Sequence, residues 1–97
     1  MDNDFEQFNE ASDILKALAH PVRLCIVKGL LKKGACNVGF MKECLDLPQS
    51  TVSQHLQKLR SFGIVKTERN GLEVNYTIAD VRVKQLIQVF FGKDDQS

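Results

Sequence analysis

The chain has 97 residues, 43% of them hydrophobic, and a formal net charge of +1, which allows one small domain (residues 1–97) with a modest core. No stretch approaches the roughly 18 apolar residues of a membrane span, and the N-terminus is acidic where a signal peptide is basic and then apolar. We therefore expect a cytoplasmic domain with no membrane partner.

Two helices are predicted in the first third of the chain. Apolar side chains recur at helical spacing over residues 4–19, and Pro21 then suits the first turn of a second helix. Gly34 is the predicted C-terminal cap of that helix. The apolar residues of the first helix are Phe8, Ala11, Leu15 and Leu18, and those of the second are Val22, Ile26 and Leu30.

A tight helix-turn-helix pair follows. Asn37 is a favourable N-cap for a short third helix over residues 38–47. Asp46 and Gln49 have the spacing of a capping box and Pro48 suits a first helical turn, so a fourth helix begins almost at once.

Beyond Gly63 the hydrophobic period changes from helical to two, which predicts a β-hairpin. Residues 64–69 form its first strand, and Asn70-Gly71 is the preferred pair for a two-residue type I′ turn. The alternating apolar residues of the second strand are Leu72, Val74, Tyr76 and Ile78. A last helix begins at Asp80, a favourable N-cap, and its apolar positions are Val83, Leu86, Ile87 and Phe90.

The order α-α-α-α-β-β-α predicts a mainly α fold with a β-hairpin (α+β), a winged helix-turn-helix. In such proteins the second helix of the pair lies in the major groove of double-stranded DNA. Residues 48–60, the second helix here, place Val52, Leu56 and Leu59 on one face and glutamine and serine on the other. Glutamine pairs bidentately with adenine, and serine bonds either type of partner. The candidate base-contacting residues are Gln49, Ser50, Ser53 and Gln54, and Thr51 is a further candidate DNA-binding residue.

Basic residues are concentrated in the same region. Residues 1–15 carry five acids and no basic residue, whereas residues 48–71 carry four basic residues against Glu68 alone. The candidate phosphate contacts are Lys58, Arg60, Lys66 and Arg69. Asn70, with Arg69 at the hairpin tip, is placed to reach a neighbouring minor groove.

Three functions other than DNA binding are alternatives for this sequence: a solvated surface on the fourth helix, a protein-binding module and an enzyme. A face rich in glutamine and serine is also compatible with an ordinary solvated surface, and a winged helix that binds protein instead of DNA is the main rival. That rival predicts an apolar or acidic surface where this sequence has Gln49 and Ser53. An enzyme is disfavoured because the sequence shows no nucleophile–base set or phosphate loop. His55 is interpreted as a packing or hydrogen-bonding residue and not as a metal ligand.

The residues from about 15 to 78 resemble the ArsR/SmtB family of small dimeric winged-helix repressors. The resemblance rests on AHPVRL, on SxxSxHLxxLxxxGIV and on a wing that ends in YxI. It implies a transcriptional repressor whose base-contacting positions fall on Gln49, Ser50, Ser53 and Gln54.

The resemblance also implies a homodimer in which the first and last helices, near residues 5–19 and 80–91, pack across a two-fold axis. Two-fold symmetry predicts an inverted-repeat operator with half-sites roughly 34 Å apart or a multiple of it. Phenylalanines near both termini agree with this, because so small a core cannot easily cover them all. The predicted interface residues are Phe5, Phe8, Leu15, Val83, Leu86, Ile87, Phe90 and Phe91.

Metal sensing is not expected to carry over from the family. Relatives that use a CxC pair have it where this chain has Asn37 and Gly39, and those that use a DxH pair have it where this chain has Asp80 and Arg82. Zinc and softer metals need several convergent ligands. We therefore predict no regulatory metal and no cofactor.

A redox response of the cysteines is the remaining way in which the family's kind of sensing could occur in this chain. The three cysteines are an odd number without CxxC spacing, which favours reduced thiols. Persulfide-sensing relatives use a cysteine where this chain has Lys28, three residues after Cys25, and a second on the last helix, which has none here. Cys36 and Cys44 are candidate redox residues because Cys36 precedes a helix N-terminus, where the pKa of a thiol is often lowered. We favour the alternative that Cys25 and Cys44 are small hydrophobic residues in the core.

Overall fold

The computed structural model describes residues 5–92. Residue 4, the first residue of the predicted first helix, therefore lies outside the described part. The elements of the structure follow the predicted order of a winged helix. The helices are α1 (Phe5–Leu18), α2 (Pro21–Lys33), α3 (Val38–Leu45), α4 (Gln49–Ser61) and α5 (Val81–Phe91), and the strands are β1 (Val65–Asn70) and β2 (Glu73–Ile78).

Local sequence signals determine where α2 begins and ends. The Nδ1 atom of His20 accepts a hydrogen bond from the Val22 backbone N–H at 3.1 Å, and Pro21 occupies the first turn. At the other end Gly34 adopts a positive φ of 93° and donates its N–H to the Leu30 carbonyl. Both predicted signals, Pro21 and Gly34, are confirmed.

The turn between α3 and α4 differs from the prediction. Asn37 caps α3 as expected, since its Oδ1 accepts from the Phe40 N–H at 2.8 Å. The capping box of Asp46 and Gln49 is wrong. Asp46 ends α3 in a left-handed conformation (φ 56°), and the N-cap of α4 is Pro48, which offers no side-chain hydrogen bond. The helix therefore starts two residues after the position that a capping box requires.

The β-hairpin forms as predicted, but its turn is shifted by one residue. Asn70 pairs with Glu73, so the two turn residues are Gly71 and Leu72 and not Asn70-Gly71. Gly71 has φ 69°, whereas Asn70 does not adopt a positive φ. A glycine at the first turn position is typical of type II′. The register is set at the other end, where Val65 lies opposite Ile78 and both side chains are buried.

The segment before α3 pairs with the hairpin. The Tyr76 N–H donates to the Cys36 carbonyl at 2.8 Å and the Cys36 N–H donates to the Tyr76 carbonyl at 3.2 Å. The Asn37 side-chain amide donates to the Glu73 carboxylate at 2.6 Å. The position of the wing is thereby tied to the α2–α3 connection.

One hydrophobic core joins all the helices to the base of the wing. The apolar faces of α2, α4 and α5 meet in it, and α4 contributes Val52, Leu56 and Leu59, none of which has exposed area. Within residues 5–92, no helix combines the length and the apolar character needed to cross a membrane. The core thus fixes α4 by its apolar face and leaves its polar face outward.

Asp80 is the N-cap of α5, and its replacement is expected to destabilise the fold. Its Oδ1 accepts from the Arg82 N–H at 2.9 Å, while the Arg82 guanidinium donates to Oδ2 at 2.7 Å. These hydrogen bonds from Arg82 hold the pKa of the Asp80 carboxyl below its usual range. We expect Asp80→Ala to lower the free energy of unfolding by about 0.5–2 kcal/mol, measured by urea denaturation.

The pH dependence and a matched variant test this role. The carboxylate is favoured in the folded state, so the stabilisation is present above the unfolded pKa of about 3.9 and is lost as the pH falls further. Asp80→Asn keeps a capping oxygen and should lose less stability than Asp80→Ala. Equal losses for the two variants would contradict the capping role.

Candidate nucleic-acid interface

Helix α4 separates its two faces cleanly. Gln49, Ser50 and Gln54 are exposed, Thr51 and Ser53 are half-buried, and every apolar side chain of the helix is buried. The sequence of α4 contains no acidic residue. Its outward surface consequently consists of hydrogen-bonding side chains without a carboxylate that would repel phosphate.

The first turn of α4 lacks a side-chain cap, because Pro48 has no capping group. The unpaired N–H groups at the start of a helix and the helix dipole favour an anion there. Among the described residues, no side-chain hydrogen bond involves Gln49 or Ser50. Both side chains are thus available to a ligand that approaches this end of the helix.

A polar pocket of about 480 Å³ lies between α4 and the wing. Its lining residues are Ser53, Gln57, Arg60, Ser61 and Tyr76. A guanidinium, hydroxyls and an amide in one pocket are the groups that bind phosphate oxygens in protein–DNA complexes. Gln57, Ser61 and Tyr76 were not among the predicted site residues, although Ser53, Gln57, Arg60 and Ser61 share one helical face by spacing alone.

The predicted phosphate-contacting residues are all exposed, but the two on the β-hairpin, or wing, lie on its opposite faces. Lys66 and Arg69 are three residues apart on β1, and alternation along a strand places them on opposite faces of the hairpin. Arg69 is on the face of Thr67 and its partner Tyr76, which is the face towards α4. Arg69 therefore lies on the polar-pocket side of the wing and Lys66 does not. Lys58 and Arg60 lie on α4, and Asn70 is the last residue of β1.

His55 joins α4 to α2. Its Nδ1 accepts a hydrogen bond from Nε of Arg23 at 3.1 Å, and its ring centroid is 4.6 Å from that of His20. Arg23 also donates to the Ala17 carbonyl at 3.3 Å. The interpretation of His55 as a hydrogen-bonding residue is confirmed. Burial, His20 and Arg23 all lower the pKa of the His55 imidazole.

Acid is expected to destabilise the fold through His55. The unfolded imidazole titrates near pH 6.5 and the folded one at a lower pH, so the unfolded chain binds the proton first and stability decreases as the pH falls below that value. The His55→Asn variant has an acceptor oxygen at the same number of bonds from Cβ as Nδ1, but this side chain does not titrate. Urea midpoints measured between neutral and mildly acidic pH should decline less steeply for His55→Asn. Identical slopes in the two proteins would refute the assignment.

The three thiols are free, and the extent of their exposure contradicts two of the predictions made for them. Cys36 is buried in the core, and this burial raises the pKa of its thiol, an effect that outweighs the opposing influence of Lys33. The predicted lowering of that pKa at the helix N-terminus is thus wrong. Cys25 and Cys44 are exposed and do not fill core space as expected. Across residues 5–92, no cluster of three or more metal-ligating side chains is present.

Helices α1 and α5 expose an apolar surface beside each other. Phe5 is 67% exposed and Phe90 is 69% exposed. An apolar cleft of about 220 Å³ runs between the helices, from Ala11 and Leu15 to Leu86. The other exposed large apolar residues on these helices are Phe8, Leu15, Val81, Val89 and Phe91. Val83 and Ile87, predicted to lie at a dimer interface, are each 1% exposed within a single chain and hold α5 on its own core.

Comparison with known proteins agrees with this geometry. A family model described as a helix-turn-helix domain matches residues 18–68. The transcriptional repressor PagR of Bacillus anthracis is 42% identical over 86 residues, which is 89% of this chain and 86% of PagR. Its crystal structure superimposes with a TM-score of 0.84 at 41% identity, and the match covers 90% of this chain and 99% of that one.

Two further relatives extend the comparison. The transcriptional activator HlyU of Vibrio cholerae is 40% identical over 78% of this chain and 69% of its own length. A homodimeric winged helix-turn-helix DNA-binding domain from Mycobacterium bovis, described as a possible ArsR-family regulator, has a TM-score of 0.81 at 30% identity, over 93% of this chain and 82% of that one. The chain therefore belongs to the ArsR/SmtB family of winged-helix DNA-binding transcriptional regulators, which are not enzymes, and it is similar to PagR.

Proposed function

We propose that this protein is a cytoplasmic, homodimeric, sequence-specific repressor that binds an inverted-repeat operator and competes with RNA polymerase for the promoter. The observation that carries the proposal is the division of α4, whose apolar residues are all buried while Gln49, Ser50 and Gln54 face outward. These side chains are suited to base edges in the major groove. Thr51 and Ser53 complete the proposed reading surface.

The backbone of the DNA is proposed to follow the polar pocket between α4 and the wing. Arg60 and Tyr76 line this pocket, and Arg69 lies on the same side of the wing. Contacts of this kind fix the register of the protein on DNA and make binding dependent on salt. Lys58, Lys66 and Asn70 are exposed and are proposed as outer contacts, with Lys66 on the far face of the hairpin.

The proposed dimer uses the apolar surface of α1 and α5. Large contiguous apolar patches on a small protein usually mark an interface, and the cleft between Ala11, Leu15 and Leu86 continues that surface. The Mycobacterium bovis domain is described as homodimeric, which supports a homodimeric state for this chain. Phe5, Phe8, Leu15, Phe90 and Phe91 would contact the partner, while Val83 and Ile87 support α5 from beneath.

Regulation by zinc is not part of the proposal. The positions that hold metal ligands in relatives are Asn37, Gly39, Asp80 and Arg82 here, and among them only the Asp80 carboxylate is a good zinc ligand. That carboxylate caps α5 and is hydrogen-bonded to Arg82. The redox response predicted for Cys36 and Cys44 stays a prediction, and burial makes Cys36 the less reactive of the two.

The protein-binding alternative has less support. It requires an apolar or acidic surface on α4, and neither is present among the outward residues of that helix. The direction of regulation differs among similar proteins, since HlyU is named an activator. Repression is proposed because PagR, the more similar of these two relatives, is a repressor.

Selection of bound sequences from a random pool of double-stranded DNA tests the proposal. The purified protein is used with reductant, with oxidant and with zinc in parallel. We expect an inverted-repeat motif that is the same with and without zinc. Failure to enrich any motif under all three conditions would overturn the proposal and favour the protein-binding alternative.

A further inference from the structure

A second pocket lies between α2 and α3, away from the proposed DNA surface. Its volume is about 340 Å³, and its walls are mostly apolar side chains. All three cysteines of the chain, Cys25, Cys36 and Cys44, line this one pocket. Lys32 and Lys33 also line it, and the Nζ atom of Lys33 lies 4.4 Å from the centroid of the Phe40 ring. Three thiols and two ammonium groups around an apolar cavity form an arrangement that DNA binding does not require.

Gly29 lines the pocket on the α2 side. A Cβ atom at this position would meet no atom within 4 Å, so a larger side chain has room there. Helical spacing aligns Cys25, Gly29 and Lys33 along one face of α2, opposite Phe40 and Cys44 of α3. An apolar chain that enters along this face passes two exposed thiols.

We propose that this pocket binds a small apolar electrophile, an α,β-unsaturated aldehyde or ketone, which adds covalently to Cys25 or Cys44 and weakens DNA binding. Apolar walls select the hydrocarbon part of such a molecule, and the thiols select its electrophilic carbon. Cys36 is buried at the inner wall and is not the nucleophile. The effect on DNA rests on the repressor function proposed above.

The addition balances without an oxidant or a further reactant. The thiol first loses its proton to water, and the thiolate sulfur forms a bond to the β-carbon of the electrophile. The π electron pair of the C=C bond moves to the α-carbon and carbonyl oxygen as an enolate, which then takes a proton from water. Sulfur is not oxidised, so the reaction differs from the disulfide chemistry predicted for Cys36 and Cys44. The ammonium group of Lys33 lines the same pocket, and a cation there favours the negatively charged enolate.

Backbone hydrogen bonds connect the cysteine-lined pocket to the proposed DNA-binding surface. The side chain of Cys36 lines the pocket, while its backbone exchanges two hydrogen bonds with Tyr76 of the wing. The side chain of Tyr76 lines the polar pocket beside α4. Helix α3, which carries Phe40 and Cys44, packs against α4 as well. A ligand that displaces α3 is therefore proposed to shift both the β-hairpin and α4.

A homologous series of straight-chain 2-enals, from 2-butenal upwards, tests the pocket on the whole protein. Mass spectrometry measures the rate of adduct formation at each cysteine, with glutathione as the reference thiol. We expect the rate ratio of protein to glutathione to rise about fourfold per added methylene until the pocket is full. A ratio that does not change with chain length would overturn the pocket.

Three variants make the test specific. Cys25→Ser/Cys44→Ser alters exposed residues and should abolish the adduct, whereas Cys36→Ala should retain it. Gly29→Leu fills the pocket and leaves every thiol in place, so it should remove the dependence on chain length. An adduct on Cys36 in the folded protein, or an unchanged chain-length dependence in Gly29→Leu, would overturn the assignment.

DNA binding is measured separately on the selected operator. We expect the adduct to lower the affinity by about 5–150-fold, the usual range of coupling between two sites. The double serine variant should bind the operator with normal affinity, and the enal should not change that affinity. Adduct formation with unchanged operator affinity would refute the regulatory role, and the adduct measurements do not depend on whether an operator exists.

Discussion

Gln49→Ala is expected to lower the affinity for the selected operator by about 1–3 kcal/mol and to relax the preference at one base pair of each half-site. Gln49 is exposed at the start of α4, and no side-chain hydrogen bond engages it within the described part of the chain. Its removal therefore changes little in the folded protein. Binding titrations with the operator and with variants at each base pair measure the effect.

Arg69→Ala is the matched comparison. Arg69 lies on the wing and is proposed to contact phosphate, so its loss should weaken all sequences alike and reduce the salt slope by about 0.9. Folding should be unaffected because the side chain is exposed. If Gln49→Ala weakened operator and random DNA equally, the assignment of Gln49 to base contact would be wrong.

The sequence was sufficient to predict the elements wherever hydrophobic spacing and end signals agreed. Pro21, Gly34, Asn37 and Asp80 each occupy the predicted helix end. These signals act within a few residues, so their physics is contained in the local sequence. The alternation in β2 likewise predicted the hairpin from side-chain burial on one face.

The errors occurred where tertiary packing competes with a local preference. Asn70-Gly71 is the better turn pair locally, but the opposition of Val65 and Ile78 at the base fixes the register and places the turn at Gly71 and Leu72. Cys36 has a helix N-terminus beside it, but it is buried in the core and its backbone pairs with that of Tyr76, which is 40 residues away in sequence. No local pattern reports such a contact.

Only the part of the candidate site that lies on a single helix could be predicted from the sequence. Glutamine and serine on one face of α4 can be read from the helical period, and Gln57 and Ser61 could have been added by extending that face. Tyr76 could not, because its spacing indicates an apolar strand position and only the fold brings it beside Ser53 and Arg60. The three-cysteine pocket also requires the packing of α2 on α3.

Phe90→Glu is expected to convert the protein to a monomer and to lower operator affinity by about 10²–10⁴-fold, because a monomer loses the second half-site contact. Phe90 is 69% exposed in the single chain, so the substitution leaves the monomer core intact. At the proposed interface, however, it buries an unpaired carboxylate, which is strongly unfavourable. Sedimentation measures the oligomeric state, and thermal unfolding monitored by circular dichroism confirms that the monomer is folded.

Leu72→Glu provides the matched control for the same change. Leu72 is fully exposed at the tip of the wing, distant in the fold from α1 and α5, so the variant should sediment as a dimer. Phe8→Glu, on α1, should behave like Phe90→Glu, because both helices contribute to the proposed surface. If both phenylalanine variants sedimented as dimers, the α1–α5 surface would not be the interface, and its apolar cleft would need another occupant.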